Sequence, residues 1–171
     1  AGANGSETCQ TLLSVDYMTP DGEQRCMRKE ELTFGYRTSS FQTWKGVITG
    51  ATFCLTPSPE ARQKQLTIID YRKKTQPYDA KSAGCVFRNP NCGHAGALIE
   101  QSGLKGTTIG GAQVSTMHAN FLINTGEGTS ADIMKLIAFI QEEVKVKQGI
   151  ELEHEVRCVP FSPDIDGTFH A

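Results

Sequence analysis

Nothing in this 171-residue sequence approaches the ~20 consecutive apolar residues that cross a bilayer. Its opening, AGANGSETCQ, has neither the basic nor the apolar region of a secretory leader. A cytoplasmic protein is the expectation. Charge of either sign is not in excess: 17 Lys and Arg stand against 19 Asp and Glu, a formal net charge of −2. The basic residues are scattered, so there is no electrostatic footprint for nucleic acid or an anionic membrane, and neither partner is expected. Repeats and low-complexity segments are missing too. With 38% hydrophobic and 21% charged residues, the composition excludes a disordered or collagen-like chain and allows one good core or two small ones.

The six cysteines, Cys9, Cys26, Cys54, Cys85, Cys92 and Cys158, do not cluster as in a small stapled scaffold, and reduced thiols are expected. Structural zinc usually shows a close cysteine pair. Cys85 and Cys92 are separated by six residues, and His154 and Cys158 are expected to face a strand core, so no metal site is assigned. The glycines of GLKGTTIGG match neither the Walker pattern nor the spaced dinucleotide fingerprint, and turns explain them.

Thr11 to Met18 and Glu23 to Met27 read as a hairpin around Thr19-Pro20-Asp21-Gly22, where Pro presets one turn position and Gly accepts a positive φ. A short polar helical stretch at Arg28 to Leu32 and a strand at Val47 to Leu55, with Gly50 a candidate bulge, follow. Ser58-Pro59-Glu60 opens a long helix to about Lys74, stopped by Gln76-Pro77, and the Pro/Ser/Gly-rich run from Pro77 to Gly84 is the best domain junction. A short helix is predicted between Gly93 and Gly103, then two paired strands within Ala112 to Asn124. Thr129 caps a second long helix, Ser130 to Gln148, with Ile133, Leu136, Ile137, Ile140 and Val144 at helical spacing and Gly149 ending it. Ile150 to Cys158 alternates like a half-buried strand, which turns Glu155 away from the core. The tail Phe161 to Ala171 is expected to be loose.

Chemistry concentrates in three segments. In AGCVFRNP, Cys85 follows a glycine and precedes Arg88, Asn89 and Pro90, which suits an exposed thiol that donates a proton; a small buried hydrophobe is the other reading of a free cysteine. Arg37 of FGYR has paired donors for a carboxylate, or is a guanidinium at a strand end in water. Glu155 of EHEVR is a candidate catalytic carboxylate or one more solvated acid.

These segments, in this order and with GLKGTTIGGAQVSTMHANFLIN between the last two, resemble the C-terminal half of the UDP-N-acetylenolpyruvoylglucosamine reductase family, from Ala1 to about Cys158. The resemblance implies an α+β fold. Residues 1–76 would be the remaining C-terminal part of a flavin-binding α+β domain, and 77–149 a small α/β substrate-binding domain. Residues 150–171 would be a return strand carrying Glu155, with the tail. It implies an enzyme that uses NADPH and FAD to convert UDP-N-acetylglucosamine enolpyruvate to UDP-N-acetylmuramate. Arg37, Cys85 and Glu155 would be catalytic, and Tyr36, Asn89, His118, Asn120 and Arg72 would contact substrate. Ala1, Gly2, Ala3 and Gly5 look like the end of the family's flavin loop, whose main motifs would precede Ala1, so the chain reads as a fragment needing its N-terminal flavin-binding segment. The short stretch from FGYR through Leu55 into the Ser58 helix, without the extra loop and split βαββ insertion of the longer subclass, resembles the shorter, second type of the enzyme. A competing function is a UDP-sugar-binding module without catalysis, for which a thiol at the reacting carbon has no use.

Overall fold

A computed structural model describes residues 2–159; the expectations placed on Ala1 and on the tail lie outside the described residues. The chain divides into two compact units, Ala1–Ile68 and Ile69–Ala171.

The first unit is built from hairpins. β1 (Gly2–Ala3) and β2 (Ser6–Glu7) pair around Asn4 (φ 53°) and Gly5 (φ 76°). Two successive left-handed residues are what a two-residue loop requires, and Asn-Gly adopts them at little cost. β3 (Leu12–Met18) and β4 (Gln24–Arg28) form the expected hairpin, with Gly22 at φ 82° and its amide donating to the Thr19 carbonyl at 3.0 Å. A 3-10 turn at Lys29–Glu31 leads to a small hairpin of β5 (Phe34–Gly35) and β6 (Thr38–Ser39), whose tip is Tyr36-Arg37.

β7 (Val47–Phe53) pairs with the other edge of β3, giving the order β4-β3-β7. Two register shifts leave an extra residue at Leu13 on β3 and at Thr49 on β7, so the bulge expected at Gly50 falls one residue earlier. Leu12, Val15 and Leu32 are buried, with Met27 and Phe41 packed on them, and Tyr17 contacts the rings of Phe41 and Trp44 at 5.7 and 5.9 Å. Val47, Ile48 and Phe53 remain exposed, and among the described residues β7 is bonded along one edge only.

The division between the units falls inside α1 (Ala61–Thr75), which buries none of its residues. It starts three residues after Ser58, whose carbonyl accepts from the Ala61 amide, and ends where Pro77 forbids continuation.

The second unit is an antiparallel sheet covered by a helix. β8 (Lys81–Cys85), β9 (Thr108–Ile109), β10 (Ala112–Val114) and β11 (Phe121–Asn124) take the order β8-β11-β10-β9. α2 (Ala95–Gln101) precedes β9, and α3 (Ser130–Gln148) follows β11 with the bounds the periodicity predicts. Thr129 Oγ1 accepts from the Asp132 amide while Asp132 returns a carboxylate to the Thr129 amide, and Gly149 closes the helix at φ 70°. Leu136, Ile137, Ile140 and Val144 form one core with Ile99 of α2, Val114 of β10 and Leu122 of β11. Burying each aliphatic side chain contributes about 1.5–3 kcal/mol.

Residues 150–158 do not form the expected strand. A single antiparallel bridge joins His154 to Phe87, flanked by hydrogen bonds from the Glu155 amide to the Val86 carbonyl (2.7 Å) and from the Arg88 amide to the Glu153 carbonyl (2.9 Å). The partner ends at Asn89-Pro90, and proline has no amide to extend a ladder. The expected alternation holds for Ile150, Leu152 and Val156, which pack on the core, and fails for His154 and Cys158, which are exposed.

Candidate functional site

The sequence around Gly84 suggests a turn, but the structure makes it a β-bulge. Cys85 pairs with Phe121 and Ser82 with Ile123, so Ala83 and Gly84 oppose Leu122 alone. Gly84 supplies the left-handed φ of 85° that such a bulge accepts. Cys85 follows it, half-buried rather than fully exposed, at the end of β8. It borders a cleft of about 360 Å³ whose walls include Arg72, Gln76, Tyr78, Ser82 and Phe121. The Arg72 guanidinium sits 5.9 Å from the centre of the Tyr78 ring, and its Nε donates to Gln76 Oε1 at 3.3 Å. A cation, an aromatic ring and a thiol thus share one concavity. Arg72 was legible in the sequence as a candidate; Tyr78 was not, since a lone tyrosine after Pro77 carries no pattern.

Glu155 comes to the same strip of chain from the other side. Its amide is bonded to Val86, the residue after Cys85, and its carboxylate Oε1 is sealed from solvent, 3.6 Å from Arg88 Nε. Arg88 also meets Glu153 at 3.4 Å. One guanidinium therefore lies between two carboxylates, and the half-buried Glu155 is less screened than the exposed Glu153. The side chain is not the solvated one that strand alternation implies.

Asn89 Oδ1 accepts from the Ala95 amide at 3.0 Å and so satisfies the first turn of α2. His118 packs edge-on against Phe121 at 4.9 Å, and its Nδ1 accepts from the Asn120 amide at 3.2 Å. Burial holds the His118 pKa below the ordinary histidine value, and the charge of Lys105 acts in the same direction. The ring is thus neutral at pH 7, with its proton on Nε2. Asn120 is buried, and both ends of its amide pair with the Phe87 backbone: the Phe87 amide donates to Oδ1 at 2.8 Å, and Nδ2 donates to the Phe87 carbonyl at 2.9 Å. A substrate contact through that amide would have to break buried hydrogen bonds.

In the first unit, Arg37 is one of two non-glycine residues with positive φ among the described residues, at 59°. Its carbonyl accepts from Gln42 Nε2 at 3.1 Å, and its guanidinium lies 5.6 Å from the ring of Tyr36, which is exposed. Non-glycine residues held in this region cost about 1–3 kcal/mol and cluster at functional sites. Gly2, Ala3 and Gly5 line the first hairpin; a Cβ on Gly5 would meet nothing within 4 Å, so its backbone is open to a ligand.

Residues 76–159 match the family described as UDP-N-acetylenolpyruvoylglucosamine reductase, C-terminal domain. A UDP-N-acetylenolpyruvoylglucosamine reductase of Protochlamydia amoebophila (strain UWE25) is 65% identical over 161 residues, covering 94% of this chain and 54% of that protein. One of Chlamydia muridarum is 47% identical over 165 residues, covering 96% and 55%. The crystal structure of UDP-N-acetylenolpyruvylglucosamine reductase from Thermus caldophilus matches with a TM-score of 0.79 at 34% identity, over 94% of this chain and 57% of that one. The chain spans about half the length of the curated relatives it matches. With the FGYR, AGCVFRNP and EHEVR segments all inside the matched length, the chain belongs to the UDP-N-acetylenolpyruvoylglucosamine reductase family.

Proposed function

We propose that this chain is the substrate-handling half of a reductase that converts UDP-N-acetylglucosamine enolpyruvate to UDP-N-acetylmuramate with NADPH and FAD, a step in peptidoglycan precursor synthesis in the cytoplasm. The observation that carries this reading is Cys85 on its glycine bulge at the cleft, with Glu155 bonded through its backbone to the next residue. We assign the shorter, second type of enzyme because β7 and α1 are joined by residues 54–60 with no element between them. Residues 1–76 are proposed as the end of the flavin domain, 77–149 as the substrate domain, and 150–171 as the return segment with Glu155. Among the described residues no helix is long and apolar enough to cross a membrane.

The fit to a flavin is partial. At Gly5 the hairpin offers backbone with open space beside it, suited to a phosphate or ribityl chain, whereas Gly2 faces the Glu7 side chain; the remaining flavin contacts are proposed to come from the N-terminal segment. When bound, the flavin supplies the hydride that adds to the enolpyruvyl double bond. The protein's part is charge and proton. A thiol carries a transferable proton, so Cys85 is proposed to give the proton that completes the reduction at the carbon next to the carboxylate and to recover it from water. Arg37, with its fixed fork of donors, is proposed to meet the substrate carboxylate, and Glu155, held by Arg88, to help pass a proton onward at the reacting group. Tyr36, Arg72, Asn89 and His118 are proposed as substrate contacts.

The test is NADPH oxidation by the protein translated from the whole open reading frame, with and without the enolpyruvyl sugar. A bound yellow flavin and substrate-dependent oxidation are expected. Neither flavin nor turnover, with retained UDP-sugar binding, would leave the binding module in its place.

A further inference from the structure

We infer that Asn120 is a positioning residue for proton delivery, gripping the strip that carries Cys85 and anchors Glu155; this rests on the reductase reading above. Three hydrogen bonds run from Asn120 to two consecutive residues. Its main-chain carbonyl accepts from the Val86 amide at 2.8 Å, and its side-chain amide takes both the N–H and the C=O of Phe87 at 2.8 and 2.9 Å. Asn120 and Phe87 are only 4% and 2% exposed, so water does not compete for these bonds.

The reason for such a grip lies in the topology. β8 pairs with β11 as far as Cys85–Phe121, and there the β11 side turns away, closed by the Phe121 amide donating to the His118 carbonyl at 2.9 Å. No main-chain rung is left on that side for Phe87. The Asn120 amide, one acceptor and one donor in a single plane, stands in for it. The opposite edge of the same strip takes Glu155 and Glu153 through Val86 and Arg88. Phe87 is therefore the fixed centre, with the thiol two residues before it, and the backbone of Glu155 bonded to the residue between them. Asp at 120 would set a carboxylate oxygen against the Phe87 carbonyl; Ala would leave a buried N–H and C=O unsatisfied. Either change lets the strip shift, and a misplacement near 1 Å is enough to slow proton transfer by about 10²-fold.

The experiment uses the full-length flavin-loaded protein, with Asn120→Ala, Asn120→Asp and, as a packing control, Asn124→Ala. The Asn124 amide closes the 124–128 turn of the same unit, donating to the Gly128 carbonyl at 2.8 Å, away from the strip. Flavin reduction by NADPH and reoxidation by the enolpyruvyl sugar are followed separately, alongside the alkylation rate of Cys85 by iodoacetamide, read by peptide mass. For the Asn120 variants, reduction stays within about twofold of the parent, reoxidation slows at least about tenfold, and Cys85 alkylation changes by about threefold or more. Asn124→Ala matches the parent in all three. Equal slowing of both half-reactions, or unchanged alkylation, overturns the role of Asn120. If Asn120→Ala yields no soluble protein, Asn120→Ser is read by the same criteria. A parent protein that is not reoxidised by the sugar refutes the reductase reading instead, and alkylation alone then decides whether Asn120 holds the strip.

Discussion

Cys85 and His118 are two ionisable groups whose surroundings set opposite uses. In the full-length enzyme Cys85→Ala is expected to leave flavin reduction by NADPH nearly unchanged and to slow reoxidation by substrate at least about 10²-fold, the range of a lost general acid. Cys85→Ser keeps a hydroxyl at the same point and retains more of that rate; equal slowing of both steps would remove Cys85 from the acid role. His118, besides its proposed contact with substrate, bears on stability. The unfolded chain binds its proton near pH 6.5, whereas burial delays protonation of the folded chain to lower pH. Its contribution is therefore complete above about pH 6.5 and is lost as pH falls through the folded value. His118→Gln, whose carbonyl can still accept from the Asn120 amide, should lose less stability than the parent between pH 7.5 and pH 5.5 in urea melts. Parallel losses would show that other groups carry the effect. At this scale the sequence named Cys85, Arg37 and Glu155, because residue type and order are visible in it. It did not reveal that Arg37 has a positive φ, that Gly84 makes a bulge, or that Asn120 spends its amide on Phe87. Those depend on which segment lies alongside, and nothing local in the chain records that.

Elements with both ends marked chemically were the ones read to the residue. α3 carries Thr129 at its start and Gly149 at its end, with an apolar stripe between them, and its observed span is the expected one. Thr129→Ala should cost about 1 kcal/mol through the lost cap. That lowers the melting midpoint of the second unit by about 4–8 °C in calorimetry. Gly149→Ala meets no atom within 4 Å, so its expected cost of about 1–2 kcal/mol comes from forcing alanine into a left-handed residue. No measurable change would mean that the helix end relaxes. The hairpin β3–β4 was legible for the same reason, its turn being written in Pro20 and Gly22. β8 was not: five residues reading KSAGC have little strand character, and they become a strand because β11 offers a partner. The failure at residues 150–158 is the converse case, a sound alternating pattern with too short a partner.

For the whole molecule, the burial of the two units is unequal. The second has a core running through α2, α3 and three strands, while the first rests on Leu12, Val15 and Leu32 with a few half-buried neighbours. Local opening should follow that difference. Limited trypsin digestion of the isolated chain is expected to remove the first unit early and to leave a product beginning near Arg72 to Lys74; loss of both units at one rate would contradict it.

The free side of β7 has a practical result for anyone who purifies this chain. Among the described residues, the outer edge of this seven-residue strand, beside Val47, Ile48 and Phe53, leaves its outward-facing backbone groups without a partner strand, a template onto which a second copy can add its own strand. Concentrated solutions should therefore cloud or elute as growing oligomers. An Ile48→Lys substitution, which places a charge where the next strand would lie, should keep the chain monomeric on a sizing column.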